Sequence, residues 1–469
     1  MTRHTDAVIT NANNRAATST GQNSGKRFFW AIPLLALVLL TTGACSTKIS
    51  VRRHPTVPLT NADATSILNN FGTLIRTADT ATDFACASDF GTIKGIKIQP
   101  AFYVRDGAVG AYAGVSDINS EADFNAVIGT PGYAKVVNSI NYCGKIKPNI
   151  IGCAPTPGNS FAIVRFTNDQ EGILWAHEFG HTVGLPHRNG PTLLMNEYIS
   201  PNRKEVNANE CYAVVSKAEN NPFTNPAGAA SGAAAGGAWI GDPGDRLVDG
   251  DLPHELDPNI GLIQFVRRAY PHGTPMGFAR RFEGSREIPE LLDMLRNPSE
   301  QHSWGNIAAV LGMIGDSRVT PELLNFIQLR AGEIPRTGGP RLLTAAMMAL
   351  GYLVNQTGDL DALKFLAEAS SPSFWADVPQ ACGPESTNIS GIVGAGQDGT
   401  GEYSCPDQLA TVAAIGLALS GSGEGQEILR RAYRDALARQ DEKLAETLIE
   451  YISVNDEIAN IGLGGYYGN

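Results

Sequence analysis

Apolar and polar positions divide the chain into stretches of different character. Residues 28–40, FFWAIPLLALVLL, are the one strongly apolar run. A polar stretch from 46 reads as a tether and leads into a first helix at Ala62–Thr77. Ile96–Val104 (IKIQPAFYV) and Phe161–Phe166 (FAIVRF) are rich in β-branched and aromatic residues and read as strands. Between about 169 and 183, Ile173, Leu174, Phe179 and Val183 supply an apolar helix face, and Asn168 with Glu171 makes a capping box before it. Asn207–Glu210 caps a further helix through Cys211–Lys217. Residues 226–238, PAGAASGAAAGGA, have no core-forming capacity and read as a linker.

Beyond 280 the pattern is helical, and three segments resemble one another. They are Ala308–Gly312 running on to Pro321–Phe326, Met347–Gly351 running on to Leu360–Phe365, and Val412–Gly416 running on to Gln426–Arg430. Each is an Ala-rich helix carrying a glycine, then a turn, then an amphipathic helix. The glycines are 39 and 65 residues apart. The first spacing matches a helix-pair repeat, and the second does so if residues 371–407 are an insertion. An irregular helical bundle is the alternative.

Length changes this picture little: 469 residues suit two or three domains. Charge excludes more. A net charge of −11 with scattered Lys and Arg argues against nucleic acid as a partner and against charge-driven binding to anionic lipid. Lys26 and Arg27 precede the apolar run, and the small residues Thr41–Ala44 follow it, which is the layout of a secretory signal. As a helix the run rises about 20 Å, against a bilayer core of roughly 30 Å, so removal is expected rather than a lasting span. Six cysteines follow Cys45, an even count that suggests disulfides in an exported chain. Proximity favours Cys143–Cys153 and Cys382–Cys405, leaving Cys86 with Cys211.

The chemistry concentrates in Trp175–His187. His177 and His181 are four apart on the expected helix, so both imidazoles leave one face and can share an ion. Glu178 adjoins the first of them. Gly184 suits a left-handed helix end, after which the chain folds back and His187 can offer a third nitrogen. Three imidazoles make an open, catalytic type of zinc site, and the adjacent carboxylate suits a general base that activates water.

These residues resemble the metzincin signature HExxHxxGxxH, with His177, Glu178, His181, Gly184 and His187 at its five fixed positions. The resemblance covers about 85–220. It implies Zn²⁺ on His177, His181 and His187, Glu178 as catalytic base, and Met195 of Leu194-Met195-Asn196 as the methionine turn beneath the metal. It also makes Phe161–Phe166 the edge strand to which a peptide substrate adds. Arg188 follows the third histidine where subfamilies carry other residues, so no subfamily is assigned. Tyr198 stands three residues past the methionine, a catalytic candidate or a wall of the S1′ pocket. Cys45 resembles the lipidated cysteine of bacterial lipoproteins, although Thr42 stands where that motif prefers Leu; simple secretion or a retained anchor is the alternative. The helix pairs resemble HEAT repeats. The acidic stretch Asp242–Asp251 is a weak Ca²⁺ candidate. His254, His272 and His302 read as surface or packing residues.

The expected architecture is an α+β metzincin-like catalytic domain followed by an all-α, HEAT-like domain. Its parts are a leader (1–44), a lipid-anchored tether with the first helix (45–84), the catalytic domain (85–220), a Gly/Ala-rich linker with an acidic loop (221–279) and the helical domain (280–469). The expected activity is zinc-dependent cleavage of proteins or peptides in the bacterial envelope, on the membrane through the N-terminal lipid, with a protein partner for the helical domain. The rivals are an interaction scaffold with a vestigial protease, and a zinc amidase acting on cell-wall peptide.

Overall fold

A computed structural model describes residues 46–77, 101–105, 112, 114–167, 170–188, 190, 192–206, 210, 213–214, 259–330, 340–376, 378 and 404–468. The leader, Cys45, Cys86, Cys211, Cys382, Asn168, the Gly/Ala-rich stretch, the acidic stretch and His254 lie outside them.

The N-terminal part is α/β. Its strands are β1 (Ser46–Arg53), β2 (Ala101–Arg105), β4 (Ala134–Val137), β7 (Gly152–Cys153) and β8 (Phe161–Val164), in the order β2-β1-β4-β8-β7. All neighbours are parallel except β7, which runs antiparallel to β8 along one edge. A smaller sheet joins β3 (Asp117–Ile118), β5 (Ser139–Tyr142) and β6 (Ile146–Ile150). The helices here are α1 (Asn61–Thr77), α2 (Glu121–Gly129) and α3 (Glu171–Thr182). Beneath α3, Phe179 stacks on Tyr133 and meets Phe71 of α1 edge-on. Gly172 lets α1 approach closely: a Cβ there would stand 2.9 Å from the Cβ of Asn70.

Three readings from sequence are corrected here. Residues 46–53 are not a tether; β1 lies inside the sheet, between β2 and β4. Its alternation is short and flanked by polar residues, with Ile49 and Val51 buried, so the signal was weak. Phe161–Val164 is not an edge strand either, because β4 and β7 pair with its two sides. The edge is β7, two residues including a glycine, with no strand propensity to announce it. Finally, the linker ends well before 279. Ile260, Leu262, Phe265, Val266, Tyr270, Met276, Phe278 and Ala279 are buried in the helical core. Short helices α4 (Leu262–Val266) and α5 (Met276–Ala279) lie in this segment.

The Cys143–Cys153 disulfide, with Cα atoms 5.8 Å apart, ties the end of β5 to β7 and so joins the two sheets.

The rest is helical: α6 (Ile288–Arg296), α7 (Trp304–Ile314), α8 (Thr320–Arg330), α9 (Pro340–Thr357), α10 (Leu360–Ala369), α11 (Pro372–Ala376), α12 (Cys405–Ser420), α13 (Gly423–Ala438) and α14 (Glu442–Tyr467), the last interrupted at Gly462. The three segments that look alike in sequence are the pairs α7/α8, α9/α10 and α12/α13. Their glycines mark backbone crossings. A Cβ on Gly312 would lie 2.4 Å from the Cα of Ala349, and one on Gly351 would lie 2.2 Å from the carbonyl oxygen of Gly416. The first helix of each pair is therefore Ala- and Gly-rich so that backbones can touch, while the second keeps a polar face.

The helical part is packed on the small sheet, with Ile146 of β6 inside its core. The Tyr466 hydroxyl receives the Ile146 N–H at 3.1 Å, and the Tyr467 hydroxyl donates to the Ile146 carbonyl at 2.7 Å. Among the described residues no helix is long and apolar enough to cross a membrane.

One buried charge gives a test of this packing. Lys135 of β4 is fully buried, and burial, reinforced by the Arg52 charge, pulls its ammonium down to about 7. The unfolded chain then holds more protons than the folded one between about pH 7 and 10.5, so stability rises with pH across that window. Lys135→Met is expected to raise stability by about 1 kcal/mol at neutral pH and to abolish that rise. Thermal melts of both proteins from pH 6.5 to 10 check it; a variant that melts lower throughout contradicts it.

Candidate metal centre

Helix α3 begins at Glu171, two residues later than the sequence pattern suggests. Gln170 is its N-cap and makes no side-chain capping bond. Glu171 has a different job from a capping box: its carboxylate receives the Arg165 guanidinium at 2.7 Å and the Phe166 N–H at 3.0 Å, fixing the loop that enters the helix. At the other end Gly184 has φ +90°, a conformation that favours glycine. The Leu185 N–H bonds to the Gly180 carbonyl at 3.0 Å, and the chain turns back.

This turn brings His187 to His177 and His181. The three Nε2 atoms form a nearly equilateral triangle, 3.1 Å between His177 and His181 and 3.2 Å from each to His187. Nδ1 of His177 faces the Leu194 carbonyl at 2.9 Å and Nδ1 of His181 faces the Leu185 carbonyl at 2.8 Å. A carbonyl accepts only, so both Nδ1 atoms carry the proton and both Nε2 atoms present lone pairs. Lone pairs aimed at one point repel unless a cation lies there. Four nitrogens around a zinc ion at 2.0–2.1 Å would stand about 3.3–3.4 Å apart, close to the observed triangle. Burial, together with the neighbouring imidazoles, keeps all three histidines neutral, His177 down to about 4 and the other two well below their ordinary value. Neutral imidazole is the ligand form.

Met195 is fully buried. Its sulfur would be 2.3 Å from a Cβ on Gly180, so it packs against α3 at the residue just before His181. Glu178 is also fully buried, and burial drives its carboxyl up to about 8. A cation held by the imidazoles acts the other way, because opposite charge favours the carboxylate. A Cβ on Gly152 would be 2.3 Å from Glu178 Oε1, so the edge strand passes directly over the carboxylate.

A fourth histidine joins them. His272, expected to be a surface or packing residue, lies with its Nε2 3.4 Å from Glu178 Oε1. His177, His181, His187 and His272 lie close enough to hold a metal ion, with ligand atoms within 4.8 Å of one another. Sequence reading missed it because it is far from the motif along the chain and shares no spacing with it. The one local signal is a turn composition, with Pro271 and Pro275 restricting the chain and Gly273 allowing the positive φ between them. His302, also read as a surface or packing residue, is exposed, and it borders a cavity of about 270 Å³ with Tyr198, Arg268 and Asn306.

The remaining candidates fall in place around the centre. Arg188 pairs with Glu210 at 2.6 Å. The Tyr198 ring lies against two guanidinium groups, Arg203 at 3.6 Å and Arg268 at 4.1 Å. Those contacts hold Tyr198 as a packing residue. The outward N–H of Gly152 donates to the Pro271 carbonyl at 3.0 Å, as the Ile151 N–H does at 2.8 Å. An extended peptide therefore does not find that edge open at Gly152, contrary to the strand-addition expectation.

Protein-family models and curated proteins were both searched, and neither gives a match to this chain.

Proposed function

We propose that the chain is an exported zinc-dependent metallopeptidase of metzincin type. The observation that carries this reading is the convergence of three neutral imidazoles, Nε2 to Nε2, beside a buried carboxylate. His177, His181 and His187 would hold the ion. When bound, zinc polarises the scissile carbonyl and makes water more acidic. Glu178 takes a proton from the attacking water as its oxygen bonds to the carbonyl carbon, then passes that proton to the nitrogen as the C–N bond breaks. The Leu194 and Leu185 carbonyls hold the two imidazoles of α3 in the liganding tautomer. The Met195 side chain supports the helix that carries them. Export is supported by the Cys143–Cys153 bridge, since such bonds persist in oxidising compartments. Attachment through a lipid on Cys45 belongs to the same reading.

Purified protein is expected to carry about one zinc per chain. Removing it with a chelator should abolish cleavage of casein or of a mixed peptide library, and one equivalent of Zn²⁺ should restore it. Cell-wall fragments run in parallel distinguish an amidase: hydrolysis of those alone would reject the general peptidase. Fewer than about 0.1 zinc per chain, with none taken up on addition, would reject the metal centre itself.

A further inference from the structure

We propose that His272 is a fourth functional histidine of this centre, acting on the reacting carbonyl of the substrate rather than on the metal. This rests on the peptidase reading above.

The position is specific. The His272 ring centre is 5.0 Å from that of His181, 4.9 Å from His187 and 5.8 Å from His177. The three motif nitrogens are 3.1–3.2 Å apart, whereas the spread widens to as much as 4.8 Å when His272 is included. The trio has the spacing of a shared coordination shell, and His272 stands off from it. Its Nε2 is turned to the side occupied by Glu178. Its side chain is 22% exposed while that of Glu178 is closed off, so His272 lies on the face from which a substrate arrives.

The segment carrying His272 is fixed at both ends. On one side the Pro271 carbonyl takes the Ile151 and Gly152 N–H groups. On the other, the Thr274 N–H reaches the Pro148 carbonyl at 3.2 Å, and the Thr274 hydroxyl donates to Asn306 Oδ1 at 2.9 Å. Gly273 has φ +88°, and a Cβ there would lie 2.6 Å from the Pro148 carbonyl oxygen. Tyr270 and Met276 root the two flanks in the helical core. A removable latch needs a free end, and this segment has none. It is a permanent wall of the site, supplied by the helical part of the chain.

As water adds to a carbonyl, the carbonyl oxygen gains negative charge. An N–H donor held in advance at that oxygen lowers the barrier, and such donors account for roughly 10²- to 10³-fold in rate. His272 fills that role. Glu178 handles the proton, and His272 stabilises the charge.

The test uses the full chain with His272→Ala and His272→Gln, each checked for an unchanged melting temperature. Zinc content and the visible spectrum of the Co²⁺-substituted protein read the metal shell. Titration with acetohydroxamate reads oxygen binding at the metal without peptide cleavage. In His272→Ala, zinc content and the Co²⁺ bands should match wild type, acetohydroxamate should bind about tenfold more weakly, and kcat should fall roughly 10²-fold or more with KM nearly constant. His272→Gln, which keeps an N–H donor, should recover part of both losses. Lost zinc or altered Co²⁺ bands in His272→Ala would make it a ligand and overturn the proposal. Faster cleavage by His272→Ala would make it a blocking group, and wild-type behaviour in every measurement would make it a bystander; either overturns the proposal. If wild type cleaves no peptide but the acetohydroxamate result holds, the peptidase reading falls while the contact made by His272 stands.

Discussion

Glu178→Gln is expected to leave a folded, zinc-loaded protein that hydrolyses peptides roughly 10²- to 10⁴-fold more slowly than wild type. Glutamine is the informative replacement because the site has no slack. The carboxylate is fully buried, and Gly152 passes so close that even one added carbon would overlap it. An amide of the same shape keeps this packing and removes only the ability to take a proton. His177 and His181 keep their carbonyl partners and His187 its place in the triangle, so metal content should not change. Single-turnover cleavage with zinc analysis of the same sample measures both quantities. Cleavage within threefold of wild type, with zinc present, would show that the base is another group.

The second large effect is expected far from the motif. Asn306 on α7 is buried, and its amide is the meeting point of four segments. Nδ2 donates to the Val266 carbonyl at 3.1 Å and to the Arg268 carbonyl; Oδ1 accepts from Thr274 at 2.9 Å and from Asn149 of β6. Asn306→Leu keeps the size and strands these groups without partners. Each buried polar group left unsatisfied costs about 1–3 kcal/mol, so a loss of about 3 kcal/mol or more is expected. Because the same amide pins the segment carrying His272, activity at a temperature where the variant is still folded should fall as well. Chemical denaturation gives the first quantity and steady-state kinetics the second. A variant as stable as wild type would mean that water or rearranged backbone replaces these bonds.

What could be read from sequence depended on how local the cause was. His177, Glu178, His181, Gly184 and His187 lie within one helix and its turn, so spacing alone places them, and the structure brings the three imidazoles together as the pattern implies. The helix pairs were legible because Gly312, Gly351 and Gly416 stand at a repeated place in Ala-rich helices, and close helix contact demands that composition. Strands β1 and β7 were not legible. One is polar at its start, the other is two residues long, and both exist through pairing with distant strands rather than through propensity. His272 was the largest omission. It owes its position to Pro148 and Gly152 in one stretch and to Asn306 in another, both far from it along the chain, and no periodicity connects them. Residues 46–53 and 259–279 escape a tether or linker reading for a related reason: neither stretch has local periodicity, and partners elsewhere in the chain order both.

The two tyrosine hydroxyls on Ile146 also bear on the order of events during synthesis. They come from residues 320 and 321 positions further along the chain. A nascent chain that has made both sheets and all three motif histidines therefore still lacks the groups that complete β6, and has not yet made the segment bearing His272. Contacts of such long range form late, after the loop-closure cost has been met. The centre described here is thus assembled only when translation has passed well beyond the histidine motif. A partly made chain carries three histidines of the cluster without the segment that supplies the fourth.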